Sequence, residues 1–374
     1  MVCHVVHLTS VHAPFDTRIF HKECRSLMMA GYDVTLIAPY AEGDTVRDGI
    51  RVRAVQPPRN RRERLMRTVW GVYRAAVREN ADIYHFHDPE LLPVGALLRA
   101  RGKRVIYDVH EDYSGAMGGK AWLPSVLHGP AAFAVRLCEA TFSAACSRVI
   151  AVTPKLAQKF RPGKTRIVQN YPWMRELLSA ESLPYEKREP LAVYVGALGD
   201  ARGLKEMTEA MHLVAKKMPA KLVIGGQVRA GGRAKFKPDG HDGVVQYLGH
   251  LGRPQVATLL GRARVGLVLH HSLANYLHGQ PTKIFEYMSA GLPVLASDIP
   301  VCRRVIEPAA CGLLADPLNP EAIASGLLWL FDHPAEAAEM GRNGQRAVAE
   351  RYNWESESQR LIDTYAELQP VGTT

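Results

Sequence analysis

The sequence predicts an α/β protein with two doubly wound parallel sheets, one in each half of the chain. Short apolar stretches alternate with helical patterns along its 374 residues, an order typical of parallel strands joined by helices. A stretch rich in proline and charge, residues 171–190, interrupts this alternation before it starts again. Because a chain of this length can bury two separate cores, we expect two Rossmann-like domains with ligands at the carboxyl ends of their strands.

The first half begins with an apolar strand and continues as a series of strands and helices. Gly31 is expected to end the first helix, since glycine readily adopts the left-handed conformation common just past a helix end. The periodicity predicts strands at residues 2–8, 33–38, 82–86, 104–110 and 148–152, and helices at residues 18–30, 65–79 and 91–100. We place the first domain over residues 1–175 and a linker at about 176–189.

The second half repeats the pattern over residues 190–354, which we interpret as the second domain. It predicts strands at residues 191–196, 220–225, 244–247, 264–269 and 293–296. The predicted helices lie at residues 203–217, 254–262, 282–290 and 320–331, with a last helix at 355–368. Most strands are separated by a helix long enough for a crossover, which favours parallel pairing.

The composition is that of an ordinary globular protein, with 47% apolar and 22% charged residues. No apolar stretch approaches the roughly 20 residues that a membrane-spanning helix needs. The N-terminus has neither a basic region nor a small-residue cleavage motif, so a secretory signal is not expected. The 6 cysteines are scattered without a Cys-x-x-Cys motif, which favours free thiols in a reducing cytoplasm.

The net charge of +10 lies entirely in the first half. Residues 1–180 contain 26 lysines and arginines against 16 acidic residues, whereas the remainder contains 21 of each. We therefore expect an anionic partner of the first half, either nucleic acid or an anionic membrane. The segment Arg59–Arg78 predicts a helix with a basic flank, on which Trp70 and Tyr73 suit a lipid interface. The alternative is a core-facing helix with solvated arginines.

Residues 281–298 combine a helix with features of an anion site. Pro281 suits the first position of a helix and Gly291 the position just past its end. Lys283 and Glu286 are three residues apart and therefore share one face near the helix start. A helix N-terminus attracts phosphate, the lysine adds positive charge, and the carboxylate can accept both hydroxyls of a ribose. The alternative is a surface ion pair worth a few tenths of a kcal/mol.

Polar residues follow the strand at 82–86. His85 and His87 should point to one face of this strand and Asp88 to the other. The alternative interpretation of this segment is a metal site formed by the two histidines with Asp88 and Glu90. No distant residue with ligand spacing accompanies them, so we expect a substrate-facing loop and no metal.

The strand at 104–110 also ends in polar residues, His110 and Glu111. One interpretation of His110 is a structural histidine that is hydrogen-bonded in the core. Because His110 lies at a carboxyl strand end beside another polar strand end, we interpret it as functional.

The loop after the first strand, residues 9–21, contains no glycine. The G-x-G-x-x-G fingerprint of dinucleotide-binding folds is therefore absent here, which argues against a nicotinamide-dependent dehydrogenase. Asp16 or Thr17 is expected to cap the following helix. Arg18 is expected in its first turn, where the alternative to substrate contact is a solvated side chain.

A second glycine-containing region follows the strand at 191–196. Gly196 and Gly203 permit close approach of a ligand to the backbone, and Arg202 is well placed to neutralise a diphosphate. Further turns follow the next two strands, at Gly225 and at Gly249.

The sequence Pro-Thr-Lys-Ile-Phe-Glu-Tyr-Met-Ser-Ala-Gly-Leu-Pro-Val-Leu-Ala-Ser-Asp at 281–298 resembles the donor-binding signature of retaining family 4 glycosyltransferases, which have the GT-B fold. The resemblance implies two Rossmann-like domains facing a cleft, with a C-terminal helix in 355–374 packing back on the first domain. Many family members have a glutamate eight positions before Glu286. This chain has His278 there and resembles instead a subgroup with a Pro-x-Lys-x-x-Glu-Tyr-Met core, so the sugar contact of that glutamate is not transferred to His278.

The resemblance also implies roles for individual residues. The glutamate that matches Glu286 binds the ribose, the histidine that matches His110 lies at the donor sugar, and Arg202 matches a lysine in charge. We therefore expect the catalytic residues to be His110, Arg202, Lys283 and Glu286. The donor nucleotide is expected to contact Gly196, Arg202, Gly203, Gly225, Gly249, His250, Leu251, Lys283 and Glu286. The acceptor side is expected to comprise Asp16, Arg18, His87, Asp88, Glu111 and His278.

The reaction implied by the resemblance is transfer of a sugar from a nucleotide-diphosphate sugar, with UDP favoured, to a glycan or lipid-linked glycan with retention of configuration. Arg202 and Lys283 would balance charge on the departing diphosphate, and no cofactor or metal is expected. We expect the protein in the cytoplasm, with Arg59–Arg78 contacting the inner face of an anionic membrane, and no nucleic-acid partner. The open alternatives are a nucleotide-sugar 2-epimerase of the same fold, a glycosyltransferase of small natural products, a nucleic-acid binder, and a non-catalytic lipid-surface protein.

Overall fold

The computed structural model of the chain describes residues 2–115, 126, 128–179, 181–226, 243–272 and 279–369. The chain forms two compact units. One consists of residues up to 170 together with those from 356 onward, and the other consists of residues 171–355. Among the described residues, no helix is both long and apolar enough to span a membrane.

The first unit contains a sheet that is parallel except at one edge. Its strands are β1 His4–Leu8, β2 Asp33–Pro39, β3 Thr45–Arg47, β4 Ile50–Val55, β5 Ile83–Phe86, β6 Arg104–Val109, β7 Arg148–Ala151 and β8 Thr165–Ile167. In the described part of the chain they follow the order β3-β4-β2-β1-β5-β6-β7-β8. The strands predicted for this half are present, while β3, β4 and β8 were not predicted.

Strands β3 and β4 form an antiparallel hairpin at the edge of this sheet. Their turn residues Asp48 and Gly49 both have positive φ, 51° and 76°, the conformation that Asp-Gly hairpin turns favour. The signal for this hairpin was therefore present in the sequence as an Asp-Gly pair.

The helices of the first unit are α1 Arg25–Met29, α2 Arg61–Glu63, α3 Val69–Glu79, α4 Leu92–Ala100, α5 His128–Ala145 and α6 Pro154–Ala157. Two π-helical turns, Ile19–Cys24 and Arg64–Thr68, lead into α1 and α3. Helix α5 was not predicted. Its large apolar side chains Phe133 and Leu137 are exposed, so they do not mark a core-facing stripe.

The two central strands of the first sheet carry different residues on their two faces. One face contributes apolar side chains to the hydrophobic core, namely Val6, Leu8, Tyr84 and Phe86. The opposite face carries His7 and His85, which are paired in register across β1 and β5 and are both fully buried. Two titratable side chains are therefore buried inside the first unit.

The second unit contains a parallel sheet. Its strands are β9 Leu191–Val195, β10 Lys221–Gly225, β11 Val245–Tyr247, β12 Val265–Val268, β13 Val294–Ser297 and β14 Gly312–Ala315. As far as the chain is described, their order is β11-β10-β9-β12-β13-β14. The helices are α7 Leu204–Ala215, α8 Arg253–Arg262, α9 Thr282–Ser289, α10 Pro300–Ala309, α11 Pro320–Asp332 and α12 Pro334–Glu350. Strand β14 and helices α10 and α12 were not predicted.

The described residues of 176–189, expected to be a linker, pack into the second unit. Leu177 and Tyr185 are buried in its two hydrophobic clusters. The Arg188 guanidinium donates hydrogen bonds to the carbonyl oxygens of Leu183 and Ala263. Proline and charge therefore mark an ordered segment here, because these few side chains anchor it to the core.

The last helix, α13 Trp354–Ala366, returns the chain to the first unit, as the resemblance implied. The Gln169 backbone N–H donates to the Glu357 carboxylate over 2.8 Å. Tyr365 is fully buried, and its hydroxyl lies 2.7 Å from His85 Nδ1 and 3.2 Å from His7 Nε2. The helix therefore covers the face of β1 and β5 that carries the histidines.

Each sheet has one point where the strand order reverses. This point lies between β1 and β5 in the first unit and between β9 and β12 in the second. Doubly wound sheets bind ligands at the carboxyl ends of the strands at such points. The residues that follow these four strands are therefore the candidate site residues.

Candidate active site

Helix α9 presents two polar side chains at the start of a largely buried helix. Lys283 and Glu286 are partly exposed, whereas the apolar residues between and after them are buried. Pro281 directly precedes the helix, and Gly291 follows its end with a φ of 70°. The helix and its two ends are therefore as the sequence predicted.

The Lys283 side chain crosses the backbone of Gly196 at the end of β9. A Cβ atom on Gly196 would lie 2.3 Å from Lys283 Nζ, and Gly196 has a φ of 147° that favours glycine. The ammonium group also lies 5.7 Å from the centre of the Tyr194 ring. The absence of a side chain at Gly196 therefore permits the position of the lysine.

The turns after the neighbouring strands pack closely on this region. The Gly196 N–H donates to the Gly225 carbonyl over 2.8 Å, and a Cβ on Gly225 would lie 2.6 Å from Leu251 Cδ1. Gly249 has a φ of 70°, and His250 after it is exposed. The structure therefore brings together the glycines that the sequence assigned to the nucleotide, with Leu251 beside them.

Arg202 adds a second positive charge at the carboxyl ends of β9 and β12. It ends a short 3-10 turn, and Gly203 after it has a φ of 72° and opens α7. A Cβ on Gly203 would lie 2.2 Å from the Leu269 carbonyl oxygen. The glycine thus allows the turn that carries Arg202 to approach the end of β12.

His270 contacts Arg202, and its pKa is affected by both cations of the site. Arg202 Nη1 lies 2.9 Å from His270 Nε2, which must accept the hydrogen bond because a guanidinium only donates. Burial, reinforced by the charges of Arg202 and Lys283, lowers the pKa of His270 to about 3. The histidine is therefore neutral at pH 7, and the arrangement of the two cations suits an anionic ligand.

Glu286 is held by an arginine that the sequence interpretation missed. Arg253, at the start of α8, donates from Nη1 to Glu286 Oε1 over 2.7 Å and from Nε to Glu176 Oε1 over 2.6 Å. Although burial opposes it, the two carboxylates raise the pKa of Arg253. The only local signal was the turn Leu251-Gly252 followed by an arginine at a helix start.

In the first unit, Arg18 is buried rather than solvated. Its guanidinium forms a bidentate pair with Asp108, with distances of 3.1 Å from Nε to Oδ2 and 3.2 Å from Nη2 to Oδ1. It also donates to the Val168 carbonyl oxygen. Arg18 is 4% exposed, so its direct role is to hold Asp108 rather than to contact a ligand.

Asp108 in turn orients His110 at the end of β6. His110 Nε2 lies 2.7 Å from Asp108 Oδ2, and the His110 side chain retains 14% exposure. Burial alone would raise the pKa of Asp108, but Arg18 and His110 lower it well below its usual range. An ionised carboxylate therefore fixes the ring of the one histidine that the resemblance placed at the sugar.

The loop after β1 adds a histidine that was not predicted. His12 lies 3.6 Å from Asp16 and 3.4 Å from Asp88, and its ring is 5.5 Å from that of His110. Against the effect of burial, these carboxylates raise the pKa of His12. Asp16 also accepts from the backbone N–H groups of residues 18 and 19, so it caps the helical segment as predicted.

The remaining predicted acceptor-side residues differ in accessibility. Asp88 is buried and accepts hydrogen bonds from Thr9 and from the Ser10 backbone. His87 is fully buried behind His110, contrary to the expectation of a substrate-facing side chain. Glu111 is exposed, and residue 278 lies outside the described residues.

Two family matches divide the chain. Residues 17–170 match the family described as Glycosyltransferase Family 4, and residues 177–347 match the family described as Glycosyl transferases group 1. A relative in Methanocaldococcus jannaschii, described as an uncharacterized glycosyltransferase, is 23% identical over 201 residues, which cover 52% of this chain and 50% of the relative. The match therefore spans about half the length of that protein.

Solved structures resemble the chain over nearly its full length. Sucrose-phosphate synthase from Thermosynechococcus elongatus superposes with a TM-score of 0.75 at 18% identity, covering 98% of this chain and 99% of the other. HepE from Anabaena, solved in complex with UDP-glucose, superposes with a TM-score of 0.72 at 15% identity, covering 97% and 99%. At these identities the likeness establishes the fold. The two family matches together span most of residues 17–347, and with this fold they show that the chain belongs to the family 4-type glycosyltransferases of the GT-B fold.

Proposed function

We propose that the protein transfers a sugar from a nucleotide-diphosphate sugar with retention of the anomeric configuration, and that the nucleotide is UDP. The observation that carries the proposal is the group of Arg202, Lys283 and closely packed glycine turns at the point where the second sheet reverses. UDP is favoured because the Anabaena protein of the same fold was solved with UDP-glucose.

The donor site is assigned to the second unit. Lys283 and Arg202 bind the diphosphate, whose charge suits two cations beside a neutral His270. Glu286 accepts the ribose hydroxyls, held in place by Arg253. The turn of Gly249–Leu251 provides backbone groups for the base.

The chemistry rests on stabilising the leaving group. As the bond between sugar and diphosphate breaks, negative charge grows on the diphosphate, and positioned cations stabilise that charge most in the transition state. Attack of the acceptor from the face that the diphosphate leaves would retain the configuration. No metal ion is assigned to the diphosphate, because Arg202 and Lys283 supply the charge.

His110 is the residue of the first unit that we assign to the sugar. Its ring is fixed by Asp108, and part of it is exposed. Asp16, Glu111 and His12 lie on loops at the same strand ends and are assigned to the acceptor side. Arg18, His87 and Asp88 support these loops from within the core.

We assign a lipid-linked or glycan acceptor on the basis of the Arg59–Arg78 segment. Its helix buries Val69, Val72 and Ala76, but Met66 is 73% and Trp70 44% exposed. Arginines at 61, 62, 67, 74 and 78 are exposed around them. Exposed apolar side chains within a basic helix suit an anionic membrane surface. On this basis we propose that the protein acts at the cytoplasmic face of a membrane, in the synthesis of cell-surface polysaccharide.

Calorimetric titration with UDP, GDP and ADP, followed by their sugars, tests the donor. We expect UDP to bind more tightly than the other two. Stronger binding of GDP or ADP would overturn the choice of base, and failure of all three to bind would overturn the proposal. If NMR shows that the donor isomerises in the absence of an acceptor, the protein is instead a 2-epimerase.

A further inference from the structure

Four polar side chains of the first unit are fully buried side by side, and none of them is assigned a contact with the substrates of the proposed transfer. They are His7 on β1, His85 on β5, His87 directly after it, and Glu23 in the π-helical turn Ile19–Cys24. Burying polar groups costs free energy unless each finds a partner. The partners of these four groups therefore require an explanation.

Two members of the cluster contain buried polar atoms that accept or donate no hydrogen bond among the described residues. These atoms are the two carboxylate oxygens of Glu23 and the Nε2 of His85. Glu23 Oε1 forms an ion pair with Arg18 Nε at 2.9 Å. Glu23 Oε2 faces His7 and His87.

The distances between the ring nitrogens and Glu23 fit a metal ion. His7 Nδ1 lies 3.0 Å from His87 Nε2, a hydrogen bond that a metal ion between the two rings would replace. Glu23 Oε2 lies 3.8 Å from the first nitrogen and 3.7 Å from the second. Ligand atoms at bond lengths of about 2.0–2.2 Å around a tetrahedral zinc ion are roughly 3.3–3.6 Å apart. One atom of each of the four residues lies within 4.8 Å of all the others.

The other ring nitrogen of each histidine is already oriented. His7 Nε2 and His85 Nδ1 both contact the Tyr365 hydroxyl, at 3.2 Å and 2.7 Å. His87 Nδ1 lies 3.3 Å from Asp108 Oδ2. Metal-binding histidines almost always bond a carboxylate or another polar group through the second nitrogen, which fixes the ring and its tautomer.

The electrostatics of the cluster suit a cation. Burial lowers the pKa of all three histidines, to about 4 for His87, which favours the neutral imidazole that binds metal ions. Burial, opposed by the charge of Arg18, raises the pKa of Glu23 well above its usual range. The Arg18 guanidinium faces two carboxylates, those of Asp108 and Glu23, so a divalent ion would add positive charge beside the second carboxylate.

We propose that His7, His85, His87 and Glu23 bind one divalent transition-metal ion, with Zn²⁺ as the preferred ion. Three imidazoles and one carboxylate suit zinc better than magnesium or calcium, which prefer oxygen ligands. Four protein ligands leave no open position, as is usual for structural zinc. The ion would join β1, β5 and the first helical segment and, through Tyr365, the C-terminal helix, and it would not contact the substrate.

The test measures metal in the full-length protein, purified without chelator from zinc-supplemented culture. Elemental analysis should find about one zinc ion per chain, and X-ray absorption should show nitrogen and oxygen ligands with imidazole scattering. Protein with no bound transition metal, both as purified and after incubation with Zn²⁺ or Co²⁺, would overturn the proposal.

Variants locate the ion. Glu23→Gln and His85→Gln keep the size of the side chains but remove a ligand, and each should lower zinc content or affinity more than about tenfold. His21→Gln, on the same helical turn but outside the cluster, is the matched control and should retain the ion. Zinc loss from the control alone would place the ion elsewhere and overturn the assignment. If a ligand variant fails to fold, the ligand set seen by X-ray absorption of the wild type decides.

Discussion

Arg253 donates a 2.7 Å hydrogen bond to Glu286, although the two residues belong to different helices, α8 and α9. The same guanidinium binds Glu176. The proposed ribose acceptor is therefore fixed before any nucleotide binds, and little side-chain entropy needs to be lost on binding.

Glu286→Ala is expected to weaken binding of the nucleotide donor by about 2 kcal/mol or more, because a charged acceptor of the ribose is lost. Arg253→Gln should weaken it less, by releasing Glu286 from its position. The two effects should be non-additive by roughly 0.5–3 kcal/mol in a double-mutant cycle, as expected of residues in contact. Calorimetry measures all three variants, with the exposed Glu209→Ala on α7 as control. Donor affinity of Glu286→Ala near that of wild type would remove Glu286 from the site.

Arg202→Ala and Lys283→Ala are expected to lower kcat more than they raise KM, because charge on the departing diphosphate increases in the transition state. Steady-state kinetics with saturating acceptor measures both constants. Equal losses in donor affinity and in kcat/KM would instead show contacts made in the ground state. Addition of Mg²⁺ or brief exposure to a chelator should leave the rate unchanged, since no exchangeable metal is assigned to the diphosphate.

Gly196→Ala is expected to lower donor affinity and turnover together. The new methyl group would occupy the space of Lys283 Nζ, 2.3 Å away, and the φ of 147° is strained for alanine by roughly 1–3 kcal/mol. Gly199→Ala is the matched control, because nothing lies within 4 Å of its Cβ position and its backbone is extended. Thermal unfolding and donor titration are compared for both variants. Equal behaviour of the two would show that the lysine does not depend on Gly196.

Stability should fall in acid partly because of His270. Its pKa is about 3 in the folded protein against 6.5 for an ordinary histidine, so the unfolded chain binds a proton first. The contribution of neutral His270 is therefore complete above pH 6.5 and is lost as the pH falls from 6.5 toward 3, by at most about 1.4 kcal/mol per pH unit. Denaturant unfolding of wild type and His270→Gln at pH 7.5 and pH 5 measures this loss of stability. The wild type should lose more stability over this range than the variant, and an equal loss would contradict the assignment.

Replacement of Arg61, Arg62 and Arg67 by glutamine should release the protein from anionic vesicles at low salt. Each arginine near such a surface contributes about 1 kcal/mol, and salt screens the attraction. Replacement of the exposed Arg342, Arg346 and Arg351 in the second unit removes the same charge and is the matched control. Vesicle co-sedimentation measures binding, and nucleotide affinity should survive in both triple variants. If the wild-type protein does not bind anionic vesicles, a soluble acceptor is the better assignment.

The sequence determined the features that depend on local chemistry. Pro281 and Gly291 marked the two ends of α9 because their backbone preferences act within one residue. Alternating apolar and helical segments indicated parallel sheets because each buried strand leaves a nearly continuous apolar run. The same reasoning missed α12, which follows α11 with no strand between them, and it missed α10 together with β14. It also interpreted the residues near Tyr185, which pack into the second unit, as a linker.

Only the tertiary structure decided which polar groups meet. No sequence pattern joined His85 with His7 and Glu23, and no metal was therefore predicted there. The register of β1 on β5 places the two histidines side by side. Arg18 and Asp108 are 90 residues apart, and their pairing follows from the strand order. A sequence pattern reports spacing along one element, whereas contacts between elements depend on how sheets order and align their strands. Some residues of the site were therefore predicted from the sequence, whereas the contacts between them were set by the fold.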